Sequence, residues 1–347
     1  MGRSTTAFSF SLLASLALRF VLVVQAQQNP GFISIDCGAT LPYTEEKTGI
    51  TYRPDEGLID SGKIMQTSRM LTYQNNRQVL KNVRIFPNGT RNCYTLRPYQ
   101  DDIQVCLVNT GKGVPFISAL ELRALDDGIY QVKSGFLQLH WRHDIGRTLE
   151  YDDVRHPDDA YDRIWTPQNY KFGVRINTTS PLNVSGNSDT LKYQVPGKVL
   201  NTAQRTMSAG SRFEMKWTPS GTSKKWIVYF HFVEIERLTS GLRRQFTIST
   251  IDNNFRESVS LEYLKPVVVV SPPVEGSPIT FFIDSTNKSE NPPILNAVEF
   301  YTIVDLPNVP TAQDDVKAIN DIKAIYHIKR ESWQGDPCKV IRAHGMV

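Results

Sequence analysis

One pattern of eight residues occurs twice in this chain, and it constrains the fold more than any other feature. The earlier copy is Pro115-Phe116-Ile117-Ser118-Ala119-Leu120-Glu121-Leu122, and the later is Pro293-Ile294-Leu295-Asn296-Ala297-Val298-Glu299-Phe300. Both run proline, two bulky apolar residues, a small polar residue, alanine, an apolar residue, glutamate and another apolar residue. Each follows an apolar run and a polar turn: Val105 to Val108 then Asn109 to Gly113, and Phe281 to Ile283 then Asp284 to Asn291. A matched order of run, turn and alternating strand means that one supersecondary unit is used twice. The chain therefore reads as a leader, two related β-domains and a helical tail.

The first domain is expected over residues 31–125. It opens with the alternating strand Phe32-Ile33-Ser34-Ile35-Asp36-Cys37, ended by Gly38, and continues through short strands at Val83 to Phe86 and Asn92 to Leu96. The second, over 136–308, is fuller, with strands read at Phe136 to Trp141, Phe213 to Trp217, Trp226 to Ile235, Arg244 to Ser249 and Val267 to Val270. Twenty prolines, twenty-one glycines and many aromatic residues suit short strands and frequent turns. Strands this frequent, without helical periodicity between them, predict an all-β fold of two tandem jelly-roll or β-sandwich domains. After Arg97-Pro98-Tyr99 the first domain passes directly to Asp101-Asp102-Ile103. It thus lacks counterparts of about Trp226 to Thr280 and is expected to be incomplete. Beyond Pro310 the pattern changes: Thr311 to Asp314 suggests a capping box, and Val316, Ile319, Ile322, Ile325 and Tyr326 recur at helical spacing. One amphipathic helix, then Gly335-Asp336-Pro337-Cys338, is expected over 311–338.

Residues 1–26 combine Arg3, an apolar stretch from Phe8 to Val24 and a compact Val24-Gln25-Ala26, the features of a cleaved signal peptide. Arg19 interrupts the stretch, which leaves no run near the roughly 20 residues a membrane span needs. A secreted product without a span is expected. Sequons at Asn88, Asn177, Asn183 and Asn287 lie beside turn-forming residues, where a glycan would stand exposed. In an oxidising compartment Cys37, Cys93, Cys106 and Cys338 allow three pairings. Cys93 and Cys106, in neighbouring strand segments, are the preferred disulfide. A net charge of +4 with no basic block gives no reason to expect nucleic acid.

Chemistry is scarce. Asp152-Asp153 and Asp158-Asp159 resemble glycosidase carboxylates only in composition, because such a pair must face across a bound sugar. No G-x-S-x-G motif, phosphate loop or Cys/His metal cluster occurs. No enzyme activity, cofactor or metal is expected. Binding is the better-supported role. A sugar offers apolar C–H faces and a rim of hydroxyls, so its site needs aromatic platforms beside Asp, Asn or Arg. Tyr151-Asp152 and Tyr161-Asp162 with Trp165 supply those ingredients in one loop, and Tyr43, Tyr52 and Arg53 supply them in the first domain. Against this, Trp165 beside Ile164 has the setting of a core residue, and Asp162 with Arg163 that of a structural pair.

Several segments together resemble the malectin-like extracellular domain of plant leucine-rich-repeat receptor-like kinases. They are Gly31 to Gly38, Tyr43-Thr44 with Glu46 to Gly49, Arg91 to Leu96, Cys106 to Glu121, Tyr161 to Trp165 and Gly335 to Cys338. The resemblance implies two tandem malectin-like sandwiches outside the cell, followed by leucine-rich repeats, a membrane span and a kinase. It also implies that Cys338 pairs with a cysteine further along, and that oligoglucose or another cell-wall carbohydrate is the ligand. A secreted peptide or another receptor ectodomain is the alternative partner. The sequence ends soon after Cys338, so a shortened form of such a receptor is expected.

Overall fold

The structure, a computed structural model, describes residues 31–59, 61–72, 79–88, 91–96, 103–133, 135–170, 173–183, 189–219, 224–239, 242–287, 289, 291–305 and 312–328. The expected leader, Thr311 and Cys338 lie outside them. Contacts divide the chain into two compact units, the first of residues 1–46, 50–66 and 82–124 and the second of the remainder.

The earlier strands are β1 (Phe32–Asp36), β2 (Tyr43–Thr44), β3 (Thr51–Pro54), β4 (Lys63–Thr72), β5 (Val79–Ile85), β6 (Arg91–Leu96), β7 (Ile103–Val108), β8 (Phe116–Ile117) and β9 (Ala119–Arg123). They form the sheets β2-β3-β1-β9, β4-β5-β8 and β6-β7. The second unit continues with β10 (Phe136–Ile145), β11 (Thr166–Gln168), β12 (Val174–Asn177), β13 (Thr202–Arg205), β14 (Phe213–Trp217) and β15 (Lys225–Phe232). It ends with β16 (Gln245–Thr250), β17 (Arg256–Ser260), β18 (Val267–Val270), β19 (Ile279–Ser285), β20 (Ile294–Leu295) and β21 (Ala297–Val304). Its sheets are β11-β10-β21-β15-β18, β14-β19-β16-β17 and β12-β13-β20. Two one-turn helices, α1 (Asp189–Lys192) and α2 (Gly197–Leu200), precede β13, and α3 (Gln313–Tyr326) follows the strands.

Both octets fold in the same way. Each makes a two-residue strand, breaks at its small polar residue and resumes as a longer strand, so that Ser118 separates β8 from β9 and Asn296 separates β20 from β21. At the break the backbone carbonyl turns to a different neighbour: Ser118 accepts the Cys37 N–H at 2.8 Å and Asn296 the Ile145 N–H at 2.9 Å. The surrounding registers repeat too. β9 pairs antiparallel with β1 as β21 does with β10, and β3 pairs parallel with β1 as β11 does with β10. Asp36 faces Ala119 and Pro54, while Asp144 faces Ala297 and Pro167. Asp36 is therefore the counterpart of Asp144, Tyr52 of Trp165, and Glu121 of Glu299. Gly38 and Gly146 follow at matching positions, both with positive φ. A Cβ on Gly146 would lie 2.3 Å from the Ala203 carbonyl oxygen, so the close approach of β13 depends on glycine there.

The units differ beyond β9 and β21. β6 pairs with β7 as β14 pairs with β19, but only residues 97–102 separate the first pair, whereas β15 to β18 lie between the second. Among the described residues β9 is an edge, while β21 is flanked by β15 and then β18. Core size follows. Phe230, Phe232, Phe246, Ile248, Phe281, Ile283 and Phe300 belong to one large buried cluster in the second unit. Five buried residues, Ile35, Cys37, Phe86, Tyr94 and Leu96, centre the first. Each fully buried Phe or Ile contributes roughly 1.5–3 kcal/mol.

α3 has the expected period, but its start corrects the capping-box expectation. Ala312 is the N-cap and no side chain caps the helix. Ile322, Ile325 and Tyr326 on α3 are exposed.

Candidate functional site

The five-stranded sheet of the second unit has two buried faces. Trp226, Val228, Phe230 and Phe232 of β15 enter the main core, while Ile227, Tyr229 and His231 face the other way. Alternation puts Glu299 of β21 on that second face, beneath Tyr130 and the segments around 155–165 and 190–200. A carboxylate this deep must be compensated. Tyr130 Oη donates to it at 2.8 Å, Arg142 Nε at 2.7 Å, His231 Nε2 at 2.9 Å and Tyr301 Oη at 2.8 Å. Burial by itself would raise its pKa, but Arg142 foremost, with His231 and Arg163, outweighs that and holds the carboxyl below the usual range. Burial lowers the pKa of His231 despite Glu299, which favours the neutral ring.

A second carboxylate builds the loop above. Asp159 accepts the backbone N–H of Tyr161 at 2.8 Å, Arg163 Nε at 2.9 Å and Trp165 Nε1 at 2.7 Å. Arg163 also donates to Tyr130 Oη at 3.0 Å and so joins the two carboxylate clusters. The result is a polar layer made rigid by its paired charges, Glu299 with Arg142 and Asp159 with Arg163.

Beside this layer opens a cleft of about 440 Å³, within the size range of small-ligand sites. Its walls are mainly aliphatic, with Leu182, Leu191, Val195, Leu200, Val267 and Val268 among them, and His231 stands in the lining. Among the described residues no cluster of three or more His, Cys, Asp or Glu could hold a metal, and no helix is long and apolar enough to cross a membrane.

The residues singled out as sugar contacts are dispersed by the fold. Trp165 and Tyr52 are completely buried, so neither ring offers a face to a ligand. Trp165 packs under the guanidinium groups of Arg142 and Arg163, and Tyr52 bonds Glu121 and stacks on Tyr43. Tyr161 is 9% exposed and gives its hydroxyl to the Lys192 carbonyl at 3.0 Å. Asp162 is buried and takes two hydrogen bonds from Arg155, at 2.8 and 2.6 Å. These four are scaffold positions. Tyr43 and Tyr151 remain accessible at 39% and 58%, and Arg53 and Asp152 are exposed. Tyr43 donates to Asp36 at 2.9 Å, Tyr151 lies over Arg147 and Asp152 sits 3.6 Å from Lys47.

Cys93 and Cys106 face each other across β6 and β7 and are joined by a disulfide, while Cys37 is buried and free. Burial pushes the Cys37 thiol up to about 12. All four sequon asparagines are exposed. Sequence reasoning missed Glu299, His231, Arg142 and Tyr130. The one available signal was a glutamate in the middle of an apolar alternation, present in both octets.

Comparison with known proteins gives a consistent picture. The Malectin-like domain family model matches residues 35–102 and 97–303, and its two segments meet between β6 and β7. A protein of Arabidopsis thaliana named "Probable LRR receptor-like serine/threonine-protein kinase" is 33% identical, covering 94% of this chain and 44% of its own length. That alignment is 388 residues long, so the relative carries residues with no counterpart here. A "Receptor-like protein kinase" of the same plant is 30% identical over 91% of the chain and 41% of its own length. The chain thus spans less than half of the curated relatives it matches. Among solved structures, the ANXUR2 extracellular domain from Arabidopsis thaliana has a TM-score of 0.62 at 14% identity, with 80% of this chain and 98% of that one covered. At that identity the likeness speaks for the fold alone.

Proposed function

The chain belongs to the malectin-like family, and from that premise we propose that it is the recognition module of an extracellular receptor, holding its ligand by non-covalent contact. The kinase in its relatives' names is theirs, and this chain aligns with less than half of each. The observation that carries the reading is the pairing of a layer of internally paired charges with an open cleft. Arg163 is bonded to Asp159 directly and to Glu299 through the Tyr130 hydroxyl, as structural parts, and the free volume beside them is walled mainly by aliphatic side chains. The exposed sequon asparagines suit export and glycosylation.

Of the two ligand classes, a secreted peptide or partner ectodomain suits the cleft better. Peptide side chains fill aliphatic pockets, whereas a sugar needs many polar partners and an exposed ring. A cell-wall carbohydrate keeps specific support from Tyr151, exposed over Arg147 with Asp152 adjacent, and from Tyr43. The secreted chain, screened in parallel against a glycan array and a displayed-peptide library, separates the two. Peptides with an apolar anchor are expected to be enriched, and Leu191→Trp to remove their binding. Glycan retention lost in Tyr151→Ala, with no peptide enriched, would establish the carbohydrate reading instead.

A further inference from the structure

We infer that the cleft receives an extended peptide segment, which adds as a further strand beside β18 and sends an apolar side chain into the cleft. This rests on the cleft being a peptide site and adds how the peptide is held. β18 is an edge of its five-stranded sheet. Which of its backbone groups face outward follows from the ladder. Ser271 N–H donates to the Val228 carbonyl at 2.9 Å, so Ser271 bonds inward to β15. Bonding direction alternates along a strand, so Val269 and Val267, opposite Phe230 and Phe232, also bond inward. Val268 lies opposite His231, whose carbonyl accepts the Asn296 N–H at 3.2 Å and so points away from β18. Val268 and Val270 therefore turn their N–H and C=O groups outward. Among the described residues no backbone hydrogen bond reaches them on that side.

The next outward positions are Pro266 and Pro272, which have no N–H. Prolines thus bound the open edge to two residues, a window that accepts a short strand and stops a longer one. The cleft begins at this window. Pro266, Val267 and Val268 all line it, although consecutive strand residues point to opposite faces, so it reaches the backbone of β18 itself. Residues directly opposite in a sheet share a face, and a strand laid along β18 puts the side chain opposite Val268 beside the aliphatic wall. Charge agrees with this guest. β18 is four valines, and the charged residues near its ends are paired, Lys265 with Glu262 at 3.5 Å and Glu275 with Lys225 at 4.0 Å. A neutral segment that alternates apolar with small polar residues matches that surface. Its main-chain bonds give affinity and the cleft gives side-chain selectivity.

The probes are four acetylated, amidated pentapeptides with threonine at the odd positions and leucine, isoleucine, valine or phenylalanine at the even ones. Binding to the full secreted chain is measured by titration calorimetry. The tightest binder is then N-methylated on its two apolar residues or, separately, on its threonines. In an antiparallel strand the residues opposite Val268 and Val270 bond to β18, and in a parallel strand their neighbours do. One pattern therefore removes the bonding N–H groups and the other spares them. The first is expected to weaken binding about tenfold or more, the second by less than about twofold. Val270→Pro, which removes an outward N–H and no bond to β15, should weaken the unmodified peptide about five- to tenfold and leave the thermal melt unchanged. The methylated pair decides the matter even if that variant fails to fold. Equal binding of both methylated forms overturns the strand; if Leu191→Trp then abolishes it, the cleft stands as a side-chain pocket, and if not, the peptide reading falls as well. Failure of all four peptides overturns both. A dimer in sedimentation that Val270→Pro dissolves gives the edge to a second copy and overturns the peptide.

Discussion

Glu121 and Glu299 occupy the same place in two copies of one strand, yet their surroundings have little in common. Glu299 is fully enclosed and has four side chains donating to it, one of them from β15. Glu121 keeps 22% of its side chain accessible and is met by Tyr52 and by Arg123 Nη2 at 3.4 Å. The first unit has no described strand where β15 would lie, and β9 is its edge. A strand's sequence sets which residues face inward. Its neighbours decide whether inward means buried.

The largest expected consequence concerns local opening. Without a second partner among the described residues, the amides of β9 depend on β1, and an open edge exposes its N–H groups. Hydrogen exchange is expected to be orders of magnitude faster across residues 31–125 than in β15 and β21. Equal protection would mean that the shorter unit closes on itself in some other way, and the comparison would lose its main consequence.

Removing the glutamates should separate the copies next. Glu299→Ala leaves Arg142 buried without its carboxylate, a loss of about 3–5 kcal/mol for a broken buried pair. Glu121→Ala removes a partly solvated contact and should cost about 1 kcal/mol or less. Trp141, Trp165, Trp217 and Trp226 all lie in the second unit and the first has no tryptophan, so denaturant melts followed by tryptophan fluorescence report the second unit. Comparable shifts in that signal for both variants would break the assignment of Glu121 to a separate, weaker environment.

In the first unit the Cys93–Cys106 disulfide ties β6 to β7, whereas β14 and β19 are held by a four-stranded sheet and a large core. A cross-link of sequence separation 13 should stabilise by about 3 kcal/mol through loop closure. Cys93→Ser with Cys106→Ser is expected to speed exchange in β6 and β7 and to leave the tryptophan-detected melt unchanged. A shift of that melt would show that the two units do not unfold independently.

Much of this comparison is legible in the sequence, and the missing part has a physical reason. The octets disclosed the repeat because both β9 and β21 must present alternate apolar residues to a core. Tyr52 and Trp165 were read as ligand contacts because an aromatic ring beside charged residues serves equally well as platform or as core. Burial decides between these, and only the shared register of β3 and β11 reveals that the two are one position. Tyr130, Arg142, His231 and Glu299 are scattered along the chain and meet only through strand order. Cleft walls drawn from segments as distant as Leu182 and Val268 leave no local signature at all.

The effect least visible in the parent tests the other duplicated carboxylate. Burial raises Asp36 in the first unit and pushes Asp144 up to about 7, against the hydrogen bond from Thr202 and the charge of Arg147. Between about pH 4 and 7 the folded state then keeps a proton on Asp144 that the unfolded chain releases, so stability falls as pH rises, by about 1.4 kcal/mol per unit. The adjacent His143 has the opposite sign. Burial lowers it to about 4, so from there to about 6.5 the unfolded chain binds the extra proton and stability rises with pH. The two slopes nearly cancel in the parent. Asp144→Asn should unmask the histidine and give a tryptophan-detected melt that strengthens from pH 4 to 6.5, whereas His143→Gln should give one that weakens up to pH 7. Asp36→Asn should leave this signal unchanged, because its counterpart role is confined to the first unit. If Asp144→Asn and the parent keep the same pH profile, Asp144 is ionised in the folded state through Arg147, 3.8 Å away, and the proton assigned to it is wrong.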